Sequence, residues 1–284
     1  MEEYNPRVIG LKYADGEEYL TLYKYISPVA LIGLLEHGDF KLTWAKDAND
    51  LSELTFTYKD GSTDRYDHLA FISMSEHSNH EALWGNYAEK YTGACIEMKI
   101  PYFQVQEGVE PSNLGEQMEA EICRPLRDKE SRSYCFCFGT YDDGYDKIDS
   151  RGGDFIIGCY YNDELCLNQM GYTEELDFHQ SLWRLVSRKH TNWEYEREYR
   201  IVMRRERMSR FTIGLPPMFF SNEITRFITK ITLGPHCNIE PEEVEFIIKE
   251  KHRTLSESQR ENYIPATAKV IKGKVENGKV SFEN

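Results

Sequence analysis

Trp193 to Arg200 reads W-E-Y-E-R-E-Y-R and runs straight into Ile201, Val202 and Met203. As a strand, its period of two places Glu194, Glu196, Glu198 and Arg200 on one face and Tyr195, Tyr199, Ile201 and Met203 on the other. As a helix, the same residues give a Glu196/Arg200 pair at i,i+4 and a Tyr195/Tyr199 stripe. The strand is favoured, because the β-branched Ile201 and Val202 continue it. One face is then apolar enough to bury and the other is ionic. Carboxylates at alternate strand positions lie about 7 Å apart and repel unless something compensates them. Arg197, Arg200, Arg204 and Arg205 would do so on a solvated face. The competing account is an acidic pair, Glu196 and Glu198, that catalyses or binds a ligand.

Working outward, Thr173 to about Arg188 reads as a helix leading into this strand. Upstream, Leu69 to Ser73 is a buried strand ending in Ser73-Met74-Ser75. Ser78-x-x-Glu81 then forms a capping box for a helix reaching about Tyr91, with Trp84, Tyr87, Ala88 and Tyr91 on one face. Gly93 stops that helix, and Ala94 to Ile100 alternates so that Ile96, Met98 and Ile100 point one way. Near the start, Val8 to Tyr13, an Asp15-Gly16 turn and Tyr19 to Tyr25 read as a hairpin. Ser27-Pro28 opens a helix that Gly38 closes, and Trp44 to Glu53 follows as a structured loop.

Between Pro101 and about Tyr172 the pattern weakens. A helix near Leu114 to Leu126 and short strands around Tyr134 to Phe138 and Phe155 to Tyr161 are the expectations there. Downstream come a strand over Thr229 to Leu233, a helix from Glu240-Pro241 to about Lys251, and a hairpin of Val270 to Val275 and Val280 to Phe282 around Asn277-Gly278. These readings predict one α+β domain over 1–284, with a mixed or antiparallel central sheet, flanking helices and an inserted or variable segment over 101–172.

Composition narrows the function. A chain of 284 residues can bury a core without disulfides, and its 7 scattered cysteines fit a reducing compartment. The opening M-E-E-Y-N-P-R lacks a signal-peptide profile, and no apolar run approaches the ~20 residues of a membrane span. A cytoplasmic protein without a membrane partner is expected. The net charge of −14 argues against broad nucleic-acid binding but leaves room for a local basic site at Arg204, Arg205, Arg207 and Arg210. No P-loop, GxSxG elbow or GxGxxG is present. His77 and His80 sit three apart beside Glu76 and Glu81 without a further ligand set, so no metal is expected.

L-Y-K-Y at Leu22 to Tyr25, Asn49-Asp50, S-M-S at Ser73 to Ser75, L-W-G-N-Y-A at Leu83 to Ala88, G-A-C-I-E at Gly93 to Glu97, K-H-T-N-W-E-Y-E-R-E-Y-R at Lys189 to Arg200 and I-T-L-G-P at Ile231 to Pro235 carry a resemblance. Together they resemble the bacterial family catalogued as domain of unknown function two-nine-seven-one, some members of which resemble abortive-infection proteins of phage defence. A more distant resemblance is to ADP-ribosyltransferases: an opening strand with a polar residue between aromatics, a helix ending in glycine, a Ser-x-Ser strand leading to a helix, and a late Glu-x-Glu strand.

That second resemblance implies an NAD-using enzyme that transfers ADP-ribose or hydrolyses NAD, with a protein or RNA acceptor. It places Glu198 as the catalytic acid on the nicotinamide ribose, Glu196 as the first acid, Ser73 or Ser75 on the middle strand, and Lys24 where the family has His or Arg. Tyr25, Tyr87, Trp84 or Trp193 would stack on nicotinamide or adenine, and Lys24 or Arg200 would pair with the diphosphate. Core packing is the competing use of each aromatic. The rival functions are a non-catalytic interaction or sensor module, in which Trp193 to Arg200 buttresses the sheet, and an RNA-directed enzyme using Arg204 to Arg210.

Overall fold

The computed structural model describes residues 11–13, 19–44, 48, 55–57, 63–65, 69–101, 103–105, 133–135, 155–161, 188–204, 209–211, 218–221, 224–276 and 279–282. The class is α+β, with mixed strand pairing. The chain folds as two compact units: Met1–Tyr19, Thr43–Phe71 and Pro101–Arg207 form the first, and Leu20–Leu42, Ile72–Ile100 and Met208–Asn284 the second. The expected helices near Leu114 to Leu126 and Thr173 to Arg188, and most of the loop after Trp44, lie outside the described residues.

In the first unit the sheet runs Leu11–Tyr13, Phe103–Val105, Ser133–Cys135, Phe155–Gly158 and Glu198–Arg204, with antiparallel register at every step. The opening residues of the strand Leu69–Ser75 lie beside Glu198–Arg204 and pair with Thr43–Trp44, Phe71 opposite Thr43. Of the strands described within 101–172, Phe103–Val105, Ser133–Cys135 and Phe155–Gly158 belong to this sheet, whereas Tyr160–Tyr161 pairs parallel with Arg188–Lys189. Among the described residues the expected N-terminal hairpin does not form. Leu11–Tyr13 pairs instead with Phe103–Val105, so a partner distant in sequence displaces the local turn signal.

Glu198–Arg204 is an interior strand, flanked on both edges. Tyr199 and Ile201 are buried on one face and Glu198 and Arg200 on the other. The expected strand from Trp193 is shorter than its period of two indicated, because Thr191–Glu196 is a 3-10 helix. Hydrogen bonds at both ends set that turn: Asn192 N–H donates to His190 Nδ1 at 3.2 Å, Trp193 N–H to the His190 carbonyl at 3.0 Å, and Arg197 N–H to the Glu194 carbonyl at 3.1 Å. Arg197 then adopts a left-handed conformation, φ 43°, and the chain extends from Glu198.

In the second unit the end of Leu69–Ser75 pairs antiparallel with Tyr19–Ile26, Tyr23 opposite Ser75, and Ala94–Pro101 follows. Ile228–Leu233 adds antiparallel to that strand, and Lys269–Lys272 adds parallel at the edge. Helix α1, Pro28–His37, has the ends its sequence calls for. The Ser27 hydroxyl accepts Ala30 N–H at 3.2 Å, and Gly38, at φ 72°, returns its N–H to Leu34 at 2.8 Å. Leu31, Leu34 and Leu35 of α1 are buried with Ile96, Met98, Ile231 and Leu233.

Helix α2 is shorter than expected, Glu81–Asn86, and His80 rather than Ser78 stands at its N-cap position, with no side-chain cap hydrogen bond. Three consecutive residues beyond it, Glu89, Lys90 and Tyr91, are left-handed, with φ 46°, 56° and 68°. Tertiary hydrogen bonding explains the early stop. Lys90 N–H returns locally to the Gly85 carbonyl, and the Tyr91 carbonyl accepts His236 N–H from a segment distant in sequence. Helix α3, Pro241–Thr254, starts where expected and runs one turn longer, its opening fixed by the Glu243 carboxylate accepting Glu240 N–H at 2.8 Å. Helix α4, Glu257–Glu261, follows. Of the expected C-terminal hairpin, Lys274–Glu276 pairs with Lys279–Ser281, Val275 opposite Val280, while the expected first arm breaks at Gly273 and its earlier part, within Lys269–Lys272, pairs parallel with Ile228–Leu233. None of the described helices is long and apolar enough to cross a membrane.

Candidate functional site

The acidic pair of the first unit belongs to a buried ionic cluster. Lys189, in the short parallel ladder that sets it opposite Tyr161, extends its ammonium to Glu196 Oε2 at 2.6 Å and Glu198 Oε2 at 2.8 Å. Arg200 donates from Nε to Glu198 Oε1 at 2.9 Å and from Nη2 to Oε2 at 3.1 Å. Two cations thus face two carboxylates. Glu198 is 2% exposed, Glu196 4%, Lys189 5% and Arg200 0%.

Two aromatic rings line the cations. The Lys189 ammonium sits 5.0 Å from the Trp193 ring centroid, and the Arg200 guanidinium 4.6 Å from that of Phe71. The backbone of Glu198 is held as firmly as its carboxylate. Its N–H donates to the Tyr161 hydroxyl at 2.7 Å and its carbonyl accepts Cys159 N–H at 2.8 Å. Burial opposes ionisation of Glu198, but the Arg200 guanidinium and Lys189 ammonium outweigh it and hold the acid well below the usual carboxylate range. Burial, reinforced by Cys159, pushes the Tyr161 phenol up, so Tyr161 stays a neutral hydroxyl.

This geometry replaces the solvated ionic face expected from period two. The charges compensating Glu196 and Glu198 are Lys189 and Arg200, and they are buried. The 3-10 turn is the physical reason: it folds Glu196 back, so both carboxylates reach one ammonium. Lys189, Tyr161 and Phe71 were missed as site residues. Lys189 had a signal, since it opens the K-x-x-x-W-x-x-E-x-E-x-R run, whereas nothing local marks Tyr161 or Phe71.

The remaining candidates lie in the second unit. Tyr25 is buried, its hydroxyl donating to the His77 carbonyl at 2.7 Å and accepting His80 N–H at 3.3 Å. Ser75 is buried as well, and its Oγ accepts His77 N–H at 3.0 Å. Both side chains thus shape the loop between the Ser-x-Ser strand and α2. Cys95 Sγ lies 3.8 Å from the Ser78 carbonyl of the same loop, and burial pushes both the Tyr25 phenol and the Cys95 thiol up. Trp84 is fully buried, edge-on to Tyr25 at 5.3 Å and stacked with Tyr91 at 5.4 Å and Phe282 at 4.9 Å. Its faces are engaged in packing. Lys24, Ser73 and Tyr87 are half-buried.

His77 and His80 stack with ring centroids 5.6 Å apart, and no group of three His, Cys, Asp or Glu side chains suited to a metal occurs among the described residues. Arg205 and Arg207 of the basic run lie outside the described residues. No family model matches the chain, and no curated protein or solved structure matches it either. Family and activity therefore rest on the motifs quoted above and on this geometry.

Proposed function

We propose that the chain is an ADP-ribosyltransferase-like protein that uses NAD, transferring ADP-ribose or hydrolysing NAD, in phage defence or as a toxin. The observation that supports it is the fixed, ionised Glu198 at the first position of its strand, directly after a turn that carries Glu196. Breaking the bond between nicotinamide and ribose builds positive charge on the sugar, and a preorganised carboxylate stabilises that charge without reorganising. Glu198 would hold the ribose hydroxyls, and Glu196 would orient or deprotonate the acceptor. Phe71, under the Arg200 guanidinium, supports the acid pair from the strand beside it. Both oxygens of Glu198 are bonded and covered. Catalysis therefore requires the Thr191–Glu196 turn to lift and Lys189 to release one carboxylate.

A specific observation favours a second reading. Four charges balanced and buried together are what a purely structural buttress requires, and in that case the chain is a non-catalytic interaction or sensor module. Incubating the protein with NAD and following free nicotinamide by proton NMR, with Glu198→Gln alongside, separates the two. Release by the wild type alone, with the variant still folded by its melting curve, supports the enzyme. Neither release nor NAD-induced shifts of protein resonances supports the module.

A further inference from the structure

Four strands of the second unit, Tyr19–Ile26, Ala94–Pro101, Ile228–Leu233 and Lys269–Lys272, lie side by side in that order, and their two faces differ in kind. On one face Ile96, Met98, Ile231 and Val270 are buried, and Lys272 reaches Glu240, the N-cap residue of α3, at 2.6 Å. On the other the register sets out a polar row. Lys230 stands opposite Glu97, and Lys269 opposite Lys230. The Lys230 ammonium lies 3.2 Å from Glu97 Oε2, and the Thr229 hydroxyl donates to Glu97 Oε1 at 2.7 Å. The Tyr23 phenol, pushed up by burial and by the Glu97 charge, is hydrogen-bonded to the same carboxylate. Lys99 follows Glu97 by two residues and so points to the same side. Lys99 and Lys269 are exposed, whereas Cys95 and Thr232, farther along this face, are buried. The row therefore meets solvent at its Glu97 end.

Charge sets this row apart. The chain carries a net −14, yet these four strands hold a single acid, Glu97. Glu97 compensates Lys230 and leaves Lys99 and Lys269 on the same face. Lys230 and Lys269 occupy facing positions on strands about 5 Å apart, where like charges repel, and an anion laid across the row relieves that repulsion. The half-buried Tyr23 ring, tied to Glu97 through its hydroxyl, stands in the same row. Lysines for phosphates beside an aromatic ring for a base, on the open face of a sheet, are what single-stranded nucleic acid requires. We propose that this face binds single-stranded nucleic acid, with Lys99, Lys230 and Lys269 neutralising phosphates and Tyr23 stacking on a base. The contact is local, because the rest of an acidic chain repels a polyanion. It requires neither Glu198 nor the Arg204 to Arg210 run, and stands whichever reading of the acid cluster holds.

Anisotropy of a short fluorescein-labelled oligouridylate, titrated with the full chain, tests this. Each neutralised phosphate of a single strand adds about 0.7 to the slope of log affinity against log salt, so three contacts predict an affinity about twentyfold lower after a fourfold rise in salt. Lys99→Ala with Lys269→Ala should weaken binding and reduce that fall to about threefold. Both lysines are exposed, so the double variant keeps its fold, which its melting curve checks. Tyr23→Leu should weaken binding about tenfold and leave the salt dependence unchanged. Lys249→Ala, at an exposed position of α3, should bind as the wild type does. No anisotropy change at low salt overturns the proposal, as does a double variant with the wild-type salt dependence. Unlabelled oligoglutamate that displaces the probe as well as unlabelled oligouridylate would assign the face to acidic peptides and overturn it too.

Discussion

Arg200 grips Glu198 through both carboxylate oxygens, Nε to Oε1 at 2.9 Å and Nη2 to Oε2 at 3.1 Å, from two positions along the same strand and on the same face. Residues i and i+2 of a strand are not usually close enough for a fork of this kind, and the reach of the Arg side chain closes the gap. Lys189 completes the balance from outside the strand.

Breaking that balance on one side strands a buried charge. Glu198→Gln and Arg200→Met are each expected to cost about 3–5 kcal/mol of folding stability. The double variant leaves Lys189 paired with Glu196, so it should cost clearly less than the sum of the two. Urea denaturation of all four proteins checks this, and additive losses would mean the fork is not the coupling element.

The same contacts fix a pH dependence. The folded-state pKa of Glu198 is depressed by Arg200 and Lys189 against the opposing effect of burial. Its contribution is therefore fully present above the unfolded-state value of about 4.3, and is lost as pH falls below it toward the folded value. Wild-type stability should drop between about pH 5 and pH 3, and Glu198→Gln should drop less over that interval. Denaturation midpoints measured across the interval test it, and parallel slopes would assign the acid sensitivity to other carboxylates.

The turn ahead of Glu198 stores strain at Arg197, an L-residue at φ 43°. Glycine takes that conformation freely, while a β-branched residue resists it most. Arg197→Val should be less stable than Arg197→Gly by about 1–2 kcal/mol. If the two melt together, the turn relaxes out of the left-handed region.

How far the sequence foretold these features depended on how local their causes are. Helix α1 was legible to its ends, because Ser27, Pro28 and Gly38 act within one turn of where they stand. Ala94–Pro101 and the pairing of Val275 with Val280 in the C-terminal hairpin were legible for the same reason. The Leu11–Tyr13 pairing was not, since its partner lies some ninety positions on. Of the acid cluster, the sequence held the pair of glutamates but not its surroundings. Period two assumes extended backbone through Arg197, and a left-handed arginine breaks the count. Nor could charge pattern show that the ionic face is buried, because that follows from flanking strands drawn from Phe155–Gly158 and Leu69–Ser75.

Two glycines of the second unit provide a contrast that backbone proximity alone decides. A Cβ at Gly93 would lie 2.0 Å from the Ile26 carbonyl oxygen, a backbone atom that cannot step aside, while Gly93 also passes its own carbonyl to Gly234 N–H at 2.9 Å. At Gly33, inside α1, an added Cβ meets nothing within 4 Å. Gly33→Ala should stabilise the protein by about 0.5–1 kcal/mol, through the lower entropy cost of placing alanine in a helix. Gly93→Ala should destabilise it by more than that gain, since relief demands moving the Tyr19–Ile26 strand away from Ala94–Pro101. Thermal melts of the two variants give opposite signs if the packing is as described, and a neutral Gly93→Ala would show that the two strands part at little cost.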